Sequence, residues 1–414
     1  MSRGRTAFQV IGSLGVLVGM TLAPGWGMLL DRHSSAHAVE DATVYTVVAD
    51  GRLVAHSLAT ATPTGEWRLR VADAGAENAF GRHLLALAPD HGTLYVLSPG
   101  RDATAQLGAE PDRVMALDVA SGRIRWNVAL TDQRFRATSL DVGPVSGRLF
   151  LFGNRLETNL PPGAVPRDIT PRDVAVSVLD PLAGDLTATW VLRRAEGHVW
   201  LVYQGAVTPD ERSLYVSYHG PDTTGIDRFD LAADEVRRCP PSTRPGFGCI
   251  ESHGGMAVYR NGLLLATGDT VVLHADLDGT MRGAIDTGLT GNHLMQFAVA
   301  GDTLYAVGDC GYVPGFAAVD LRGAGRLGPP IMDGEWNWVA RLTPPTVLVL
   351  QQREMSRDDV PCGDRLAPGP GPTLAVASAT GVVIVDAMTG MIAQRAELGS
   401  KLLDVLVLPN RGSP

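Results

Sequence analysis

Hydrophobic and polar positions along this chain repeat one short phrase at intervals of roughly 40 to 60 residues. Each copy opens with an apolar triplet, passes through a loop to a short apolar run ending in Asp, and closes with a tight turn that contains Gly. In one copy, Leu94-Tyr95-Val96 leads to Asp118 and Gly122. Asp accepts backbone N–H groups in such turns, and Gly adopts the positive φ they need. Repeated short strands of this kind predict an all-β propeller with one four-stranded blade per copy.

The first residue of each triplet marks the second strand of a blade, and six such residues align: Leu94, Leu149, Leu214, Leu264, Leu304 and Val347. The corresponding blades are expected to start near residues 83, 138, 203, 253, 293 and 336. Two N-terminal segments, 43–48 and 52–58, also alternate like strands, and 402–408 is a strand without a blade of its own. Pairing of the C-terminal strand with the N-terminal strands would leave no exposed sheet edge at the join. We therefore predict about seven blades, closed by both chain ends.

The N-terminal 38 residues differ from the rest and predict export. Residues 6–30 carry no charge and follow Arg3 and Arg5, and Ala36-His37-Ala38 fits a small-x-small cleavage site. The segment 1–38 is therefore either a signal peptide or a single membrane anchor, with 39–414 as one exported propeller domain. No Cys lies between residues 20 and 40, which excludes a lipid-modified N-terminal Cys.

Composition excludes one class of partner. The formal net charge is −9, and beyond the first few residues there is no block of Lys or Arg. A nucleic-acid-binding surface would need such a basic patch, so no nucleic-acid partner is expected.

The chain has four cysteines, an even number that suits an exported protein. Cys239 and Cys249 flank a short Pro-containing loop, and Cys310 and Cys362 each follow the second strand of successive predicted blades. We predict the disulfides Cys239–Cys249 and Cys310–Cys362. The spacing lacks the close Cys pairs of a zinc site.

The stretch from Ala116 to Trp126 resembles the tryptophan-docking motif of quinoprotein propellers, and Trp190 lies two residues late in a similar stretch. Across 43–408 the repeat resembles exported bacterial propellers of the YVTN and quinoprotein-like (PQQ-like) type. The resemblance implies that each such Trp packs on the next blade. Quinoprotein dehydrogenases of this type usually have eight blades and a vicinal Cys pair, whereas other members are scaffolds, binding modules or lactone hydrolases. This chain has about seven predicted blades and no Cys-Cys, so no cofactor is expected.

Two alignment columns place polar residues at one mouth of the central channel. Positions are counted from the first residue of each triplet. Eleven positions before it stand three histidines, His83, His253 and His293. Five positions after it stand polar residues in most blades, Asn154, His219, Asp269 and Asp309 among them. Antiparallel pairing brings both columns to the same face of the ring. The candidate site residues are His83, Asn154, Tyr203, His219, His253, Asp269, His293, Asp309 and Trp336.

In this alignment His253 could meet Asp269, and His293 could meet Asp309. Two interpretations stay open: a polar pocket that binds or reacts, or His–Asp pairs that staple blades together. A three-His metal site is not expected, because His83 lies several blades from His253 and zinc needs each nitrogen within about 2.1 Å.

No motif for nucleophilic, metalloprotease or phosphate-binding chemistry occurs in the chain. The leading hypothesis is an exported, non-catalytic propeller that binds an unknown protein, peptide or cell-envelope ligand at its loop-bearing face. The alternatives are a lactonase-like hydrolase that uses His and Asp at the channel mouth, and a degenerate quinoprotein-like oxidoreductase.

Overall fold

The structure is a computed structural model. It describes residues 42–48, 50–60, 62–69, 84–98, 111–130, 135–156, 172–194, 201–219, 224–237, 255–266, 271–277, 281–287, 289, 294–308, 315–322, 327–332, 338–342, 347–351, 365–369, 373–377, 381–386, 392–399 and 402–409. All of these belong to the unit Val39–Pro414.

The described residues form 30 β-strands in seven sheets, and the sheets are the blades of a seven-bladed propeller. Blade 1 contains β1 (Ala42–Val48), β2 (Arg52–Ser57), β3 (Pro63–Arg68) and β30 (Leu402–Pro409). Blade 2 contains β4 (Leu85–Leu87), β5 (Thr93–Ser98), β6 (Arg113–Asp118) and β7 (Ile124–Ala129). Blade 3 contains β8 (Phe135–Val142), β9 (Leu149–Leu156), β10 (Arg172–Leu179) and β11 (Leu186–Arg193). Blade 4 contains β12 (Leu201–Val207), β13 (Ser213–His219), β14 (Thr224–Asp230) and β15 (Glu235–Arg237).

The remaining three blades complete the ring. Blade 5 contains β16 (Met256–Tyr259), β17 (Gly262–Ala266), β18 (Val271–Asp276) and β19 (Met281–Asp286). Blade 6 contains β20 (Leu294–Ala300), β21 (Thr303–Gly308), β22 (Gly315–Asp320) and β25 (Val347–Gln351), and the hairpin of β23 (Leu327–Met332) and β24 (Trp338–Leu342) lies between β22 and β25 in the chain. Blade 7 contains β26 (Arg365–Pro368), β27 (Thr373–Ala377), β28 (Gly381–Asp386) and β29 (Ile392–Glu397).

The prediction that both chain ends close the ring is confirmed. β30 is the inner strand of blade 1 and pairs antiparallel with β1, with Thr43 opposite Leu408 and Tyr45 opposite Leu406. An apolar cluster then joins this composite blade to blade 7 and includes Val44 and Ile384. The ring therefore closes through backbone hydrogen bonds within blade 1 and apolar packing on either side of it.

One predicted blade start is wrong. Val347 begins β25, which is the outer strand of blade 6 and pairs with β22, so it is not the second strand of another blade. The second strand of blade 7 is β27, with Leu374 in the triplet position, and its inner strand starts at Arg365 instead of near 336. The sequence misled because the β23–β24 hairpin separates β22 from β25, and this outer strand carries the same apolar sequence pattern as a second strand.

The β23–β24 hairpin extends the neighbouring blade. β24 pairs in parallel with β19, with Ala284 opposite Arg341 and Ile285 opposite Leu342, and this gives blade 5 six strands in all. The outer edge of blade 5 is thereby covered by a segment of blade 6, which is one way in which β-proteins protect an exposed strand edge.

Tryptophans on the outer strands fasten successive blades. Trp126 Nε1 donates to the carbonyl of Pro181 in blade 3 at 3.1 Å, and Trp67 Nε1 donates to the carbonyl of Gly122 in blade 2 at 2.8 Å. In both pairs the partners are 55 residues apart. The contact that the resemblance implied is present at Trp126, and Trp67, which the sequence alignment missed, makes the same one.

Trp190 differs from these two. Its ring packs against Phe229 of blade 4, with the ring centroids 5.1 Å apart. This packing buries aromatic surface between blades 3 and 4. Like Trp67 and Trp126, Trp190 thus contacts the blade that follows its own.

Candidate binding face

Five long connections of the ring meet the strands at one face, which we call the loop-bearing face, whereas 321–346, with the β23–β24 hairpin, starts from the opposite face. In an antiparallel meander the second and fourth strands end where the first and third strands begin. The connections at this face include 69–84, 99–112, 157–171, 238–255 and 352–364. The opposite face, called the turn face, carries the short links between first and second strands and most of those between third and fourth strands, such as 88–92, 143–148 and 180–185. Long connections on a rigid scaffold commonly bind ligands, so the loop-bearing face is the candidate binding surface.

Polar side chains along the inner strands connect blade 3 to blade 4. Ser139 Oγ accepts a hydrogen bond from Gly205 N at 3.2 Å, and Asp141 Oδ2 accepts one from Val207 N at 2.8 Å. Both pairs are 66 residues apart, so β8 and β12 run side by side in the same direction. These bonds satisfy backbone N–H groups that inner strands would otherwise leave unpaired.

The same arrangement occurs at three further seams in the described part of the ring. Asp404 Oδ2 of blade 1 accepts from Leu84 N and Leu85 N of blade 2, at 2.6 and 2.9 Å. Asp112 Oδ2 of blade 2 accepts from Ala137 N of blade 3 at 2.7 Å. In each case a side chain of one blade holds the start of the next blade's inner strand.

At the seam of blades 4 and 5 the staple is an amide. Gln204 is buried, its Nε2 donates to Met256 O at 2.9 Å, and its Oε1 accepts from Met256 N at 3.0 Å. A single side chain therefore satisfies both backbone groups of a residue at the start of β16, which fixes the position of this strand.

Asn154 belongs to this set of inter-blade contacts. It lies at the loop-bearing face and is 4% exposed. Its Oδ1 accepts from Val202 N at 3.1 Å, and its Nδ2 donates to Asp173 O at 3.2 Å. Both polar atoms of the amide are engaged in holding β9, β10 and β12, so this candidate residue acts as a structural staple.

Tyr203 lies at a β-bulge. The register of β12 against β13 shifts between Val202 and Gln204, and Tyr203 is the extra residue. Thr138 has the same place in β8, and its hydroxyl donates to Phe152 O at 3.1 Å. The two described residues at this position, eleven before the triplet Leu of their blade, therefore lie at bulges, which redirect side chains and often occur near functional sites.

His219 is the last residue of β13 and lies opposite Leu201, the first residue of β12. In blade 3 the equivalent partners are Asn154 and Arg136. The predicted meeting of second-strand ends with first-strand starts at one face is thus present in both blades.

The other candidate residues, His83, His253, Asp269, His293, Asp309 and Trp336, lie outside the described residues, as do Cys239, Cys249, Cys310 and Cys362. Their pairings and roles stay predictions. For Trp336 the alignment argument no longer holds, because Val347 is not a second strand.

A buried ionic cluster at the loop-bearing face was not foreseen from the sequence. Arg193 donates to both carboxylate oxygens of Asp227, from Nε at 3.1 Å and from Nη2 at 3.0 Å, and Tyr218 OH donates to the same carboxylate at 3.1 Å. Asp227 is fully buried, and the Arg193 guanidinium lies 4.6 Å from the Tyr218 ring centroid. The cluster joins β11 of blade 3 to blade 4, and no spacing rule in the sequence pairs these residues.

The charges of this cluster are mutually supported. Burial alone would lower the pKa of Arg193, but the hydrogen bond and charge of Asp227 outweigh it, and the pKa is raised. Burial, followed by the negative charge of Asp227, also raises the pKa of Tyr218. The phenol therefore stays protonated and donates its hydrogen bond to the Asp227 carboxylate.

Asp141 has the opposite character. Desolvation by its surroundings raises the pKa of its carboxyl to about 6, although the N–H groups of Val207 and Val142 oppose the shift and the residue is only partly buried. No cationic partner of Asp141 is found within the described ranges. Its carboxyl therefore titrates at mildly acidic pH, in the seam of blades 3 and 4.

Within the described ranges, no group of three or more His, Cys, Asp or Glu side chains is arranged to hold a metal ion. None of those residues forms a helix long and apolar enough to cross a membrane.

Comparisons with known proteins place the chain by fold. No family model and no curated protein matches it in sequence. The Pseudomonas aeruginosa periplasmic gluconolactonase PpgL is similar in structure, with a TM-score of 0.54, 14% identity, and coverage of 89% of this chain and 99% of that one. A functionally unknown protein from Desulfotomaculum acetoxidans DSM 771 is similar with a TM-score of 0.52 and 10% identity, over 89% of this chain and 99% of that one. BamB from Moraxella catarrhalis has a TM-score of 0.43 and 12% identity, over 87% of this chain and 86% of that one. At these identities the likeness shows the fold alone.

Proposed function

We propose that this protein is an exported, non-catalytic propeller that binds a protein, peptide or cell-envelope ligand at its loop-bearing face. The proposal rests on one observation: polar side chains at the blade seams make structural contacts, whereas long connections are grouped at the loop-bearing face. The described polar side chains Asp404, Asp112, Asn154, Asp141 and Gln204 hold successive blades together. Five long connections meet the strands at the loop-bearing face, where a rigid ring can present them to a partner.

Export rests on the N-terminal segment. The uncharged stretch 6–30 after Arg3 and Arg5 directs residues 39–414 across a membrane, either with cleavage after Ala38 or with retention of an anchor. N-terminal sequencing of the protein isolated from its cells separates the two, because cleavage gives a chain that starts at Val39. The repeat is of the YVTN and quinoprotein-like type, a reading supported by the matching contacts of Trp67 and Trp126.

Replacement of one long connection tests the function. Leu156 and Arg172 are the last paired residues of β9 and β10, so Asn-Gly in place of 157–171 gives a two-residue hairpin without altering either strand. The matched control changes the turn face by Leu182→Ser and Val145→Ser, at side chains that are 85% and 76% exposed.

The readouts are the melting temperature and the retention of solubilised cell-envelope components on the immobilised protein. We expect the loop variant to melt close to the wild type and to lose retention, while the control retains as the wild type does. Full retention by the loop variant together with loss in the control would place binding on the turn face and contradict the proposal.

A further inference from the structure

A cavity of about 380 Å³ opens between blades 1 and 2 at the loop-bearing face. Its described lining is Arg68, Leu69, Ser98, Arg113, Met115 and Asn127. Arg68 ends the outer strand of blade 1, whereas Ser98 and Arg113 lie at strand ends of blade 2. The cavity is thus formed where two blades diverge, and its volume falls within the range of small-molecule sites, about 300 to 1,000 Å³.

The cavity is cationic. Its described lining contains two guanidinium groups and no carboxylate. Arg113 is half-buried, and Asn127 fixes its orientation by accepting from Nε at 3.0 Å through Oδ1 and from Nη2 at 3.4 Å through its backbone oxygen. No ion pair between a carboxylate and Arg68 or Arg113 is found in the described part of the chain. In a chain of net charge −9, this local excess of positive charge is notable.

Two described carboxylates close in sequence to the cavity arginines or their paired strand, those of Asp50 and Asp112, bond mainly to other groups. Asp50 accepts from Arg52 Nε at 2.8 Å, and this hydrogen bond is the main reason that the pKa of Asp50 is lowered. Asp112, next to Arg113 in the chain, points to Ala137 N at 2.7 Å and lies 3.9 Å from Arg136 Nη1. Neither carboxylate forms a hydrogen bond or an ion pair with the two guanidinium groups of the cavity, although the charge of Arg68 contributes, as the smallest cause, to the lowered pKa of Asp50.

We propose that this cavity binds a small molecule that carries a carboxylate or phosphate group. A guanidinium presents a planar fork of N–H donors that matches an oxyanion with two hydrogen bonds. The hydroxyl of Ser98 and the amide of Asn127 add neutral polar groups, and the buried side chains of Leu69 and Met115 provide an apolar floor for the rest of the ligand. The cavity occupies a small part of the loop-bearing face. A small oxyanion could therefore bind there whether or not a macromolecular partner binds elsewhere on that face.

Titration calorimetry of the full protein with inorganic phosphate and with succinate tests the proposal. Each titration is compared with sodium chloride at equal ionic strength, because exposed charges respond to salt alone. The variants are Arg68→Gln and Arg113→Gln. The matched control is Arg123→Gln, an exposed arginine of the same blade at the turn face.

We expect saturable binding of at least one oxyanion, and the tighter of the two identifies the group as a carboxylate or a phosphate. Each of the two cavity variants should weaken binding about ten-fold or more, as the loss of a charged hydrogen bond does, while Arg123→Gln binds as the wild type. Absence of saturable binding, an equal loss in the control, or unchanged affinity in both cavity variants would overturn the proposal. Because Arg68 is exposed at a strand end, its variant reports on binding even if Arg113→Gln fails to fold.

Discussion

Asp141 Oδ2 accepts a hydrogen bond from Val207 N, 2.8 Å away, across the seam of blades 3 and 4. The bond belongs to a set in which a side chain of one blade satisfies the inner strand of the next, as Gln204 does for Met256. Such bonds fix the order and register of the blades, so their loss should appear in stability before it appears in binding.

The stability of the seam should depend on pH through Asp141. Burial raises the pKa of this carboxyl from 3.8 to about 6 in the folded protein, so between these values the folded state holds a proton that the unfolded state has released. The contribution of Asp141 to stability is therefore full below about pH 4 and is lost as the pH rises through 6, by about 3 kcal/mol. Urea unfolding at several pH values from 4 to 7 measures most of this change in the free energy of unfolding.

The variant Asp141→Asn isolates this carboxyl, because all other groups titrate alike in both proteins. The free energy of unfolding of the variant, relative to the wild type, should rise by about 2 kcal/mol between pH 4 and 7. A difference that stays constant over this range would show that Asp141 has an ordinary pKa in the folded protein.

The Trp126–Gly184 contact predicts a coupled pair of mutations. Gly184 has a φ of +76°, and a Cβ there would lie 2.9 Å from Trp126 Cε3. Gly184→Ala should therefore combine backbone strain with a clash and destabilise by about 2–4 kcal/mol. In a Trp126→Ala background only the milder contact with Val128 Cγ1, at 3.1 Å, is left, so the same change should cost less.

Gly147 is the matched control, since its φ is +71° and nothing lies within 4 Å of a Cβ built there. Gly147→Ala should cost only the strain, about 1–2 kcal/mol. If Gly147→Ala and Gly184→Ala lower the free energy of unfolding equally in urea, Trp126 does not pack closely against Gly184 as described.

Removal of β30 should open the ring. This strand supplies the inner edge of blade 1, and its Asp404 holds Leu84 and Leu85 of blade 2. Deletion of 400–414 should lower the melting temperature markedly, because it exposes the edge of β1 and leaves these N–H groups unpaired. Deletion of 410–414 alone, beyond the strand, should change it little. Equal melting of the two truncated proteins would contradict closure by the C-terminal strand.

The disulfides Cys239–Cys249 and Cys310–Cys362 stay predictions from the sequence. Closing the shorter loop should stabilise by about 2–4 kcal/mol. Mass spectrometry of a non-reduced digest of the exported protein should recover both linked peptides. Free thiols at all four positions would remove support for the pairing and for export.

The sequence predicted the fold well because each blade repeats a local pattern. The triplets, the terminal Asp residues and the turn glycines are set by strand pairing and by φ, so they recur in register. The prediction failed at Val347 because an outer strand and an inner strand carry the same apolar pattern, and only pairing with β22 distinguishes them.

The candidate site was less predictable from sequence. The columns found the loop-bearing face and placed Asn154 there, but they did not tell a staple from a ligand-binding group, because the two differ only in what the amide contacts. Arg193 and Asp227, or the two arginines of the cavity, come together through blade packing across long separations and leave no local signal. The predicted pairs His253–Asp269 and His293–Asp309 remain to be tested.

A photo-crosslinking map in living cells tests the central claim, that the loop-bearing face is the binding surface, most directly. A photoreactive amino acid is placed at Arg194 and Arg237, which are exposed at that face, and at Val145 and Leu182, which are exposed at the turn face. The account predicts discrete adducts with a cell-envelope partner from Arg194 or Arg237 and none from Val145 or Leu182. Adducts confined to Val145 and Leu182 would contradict it.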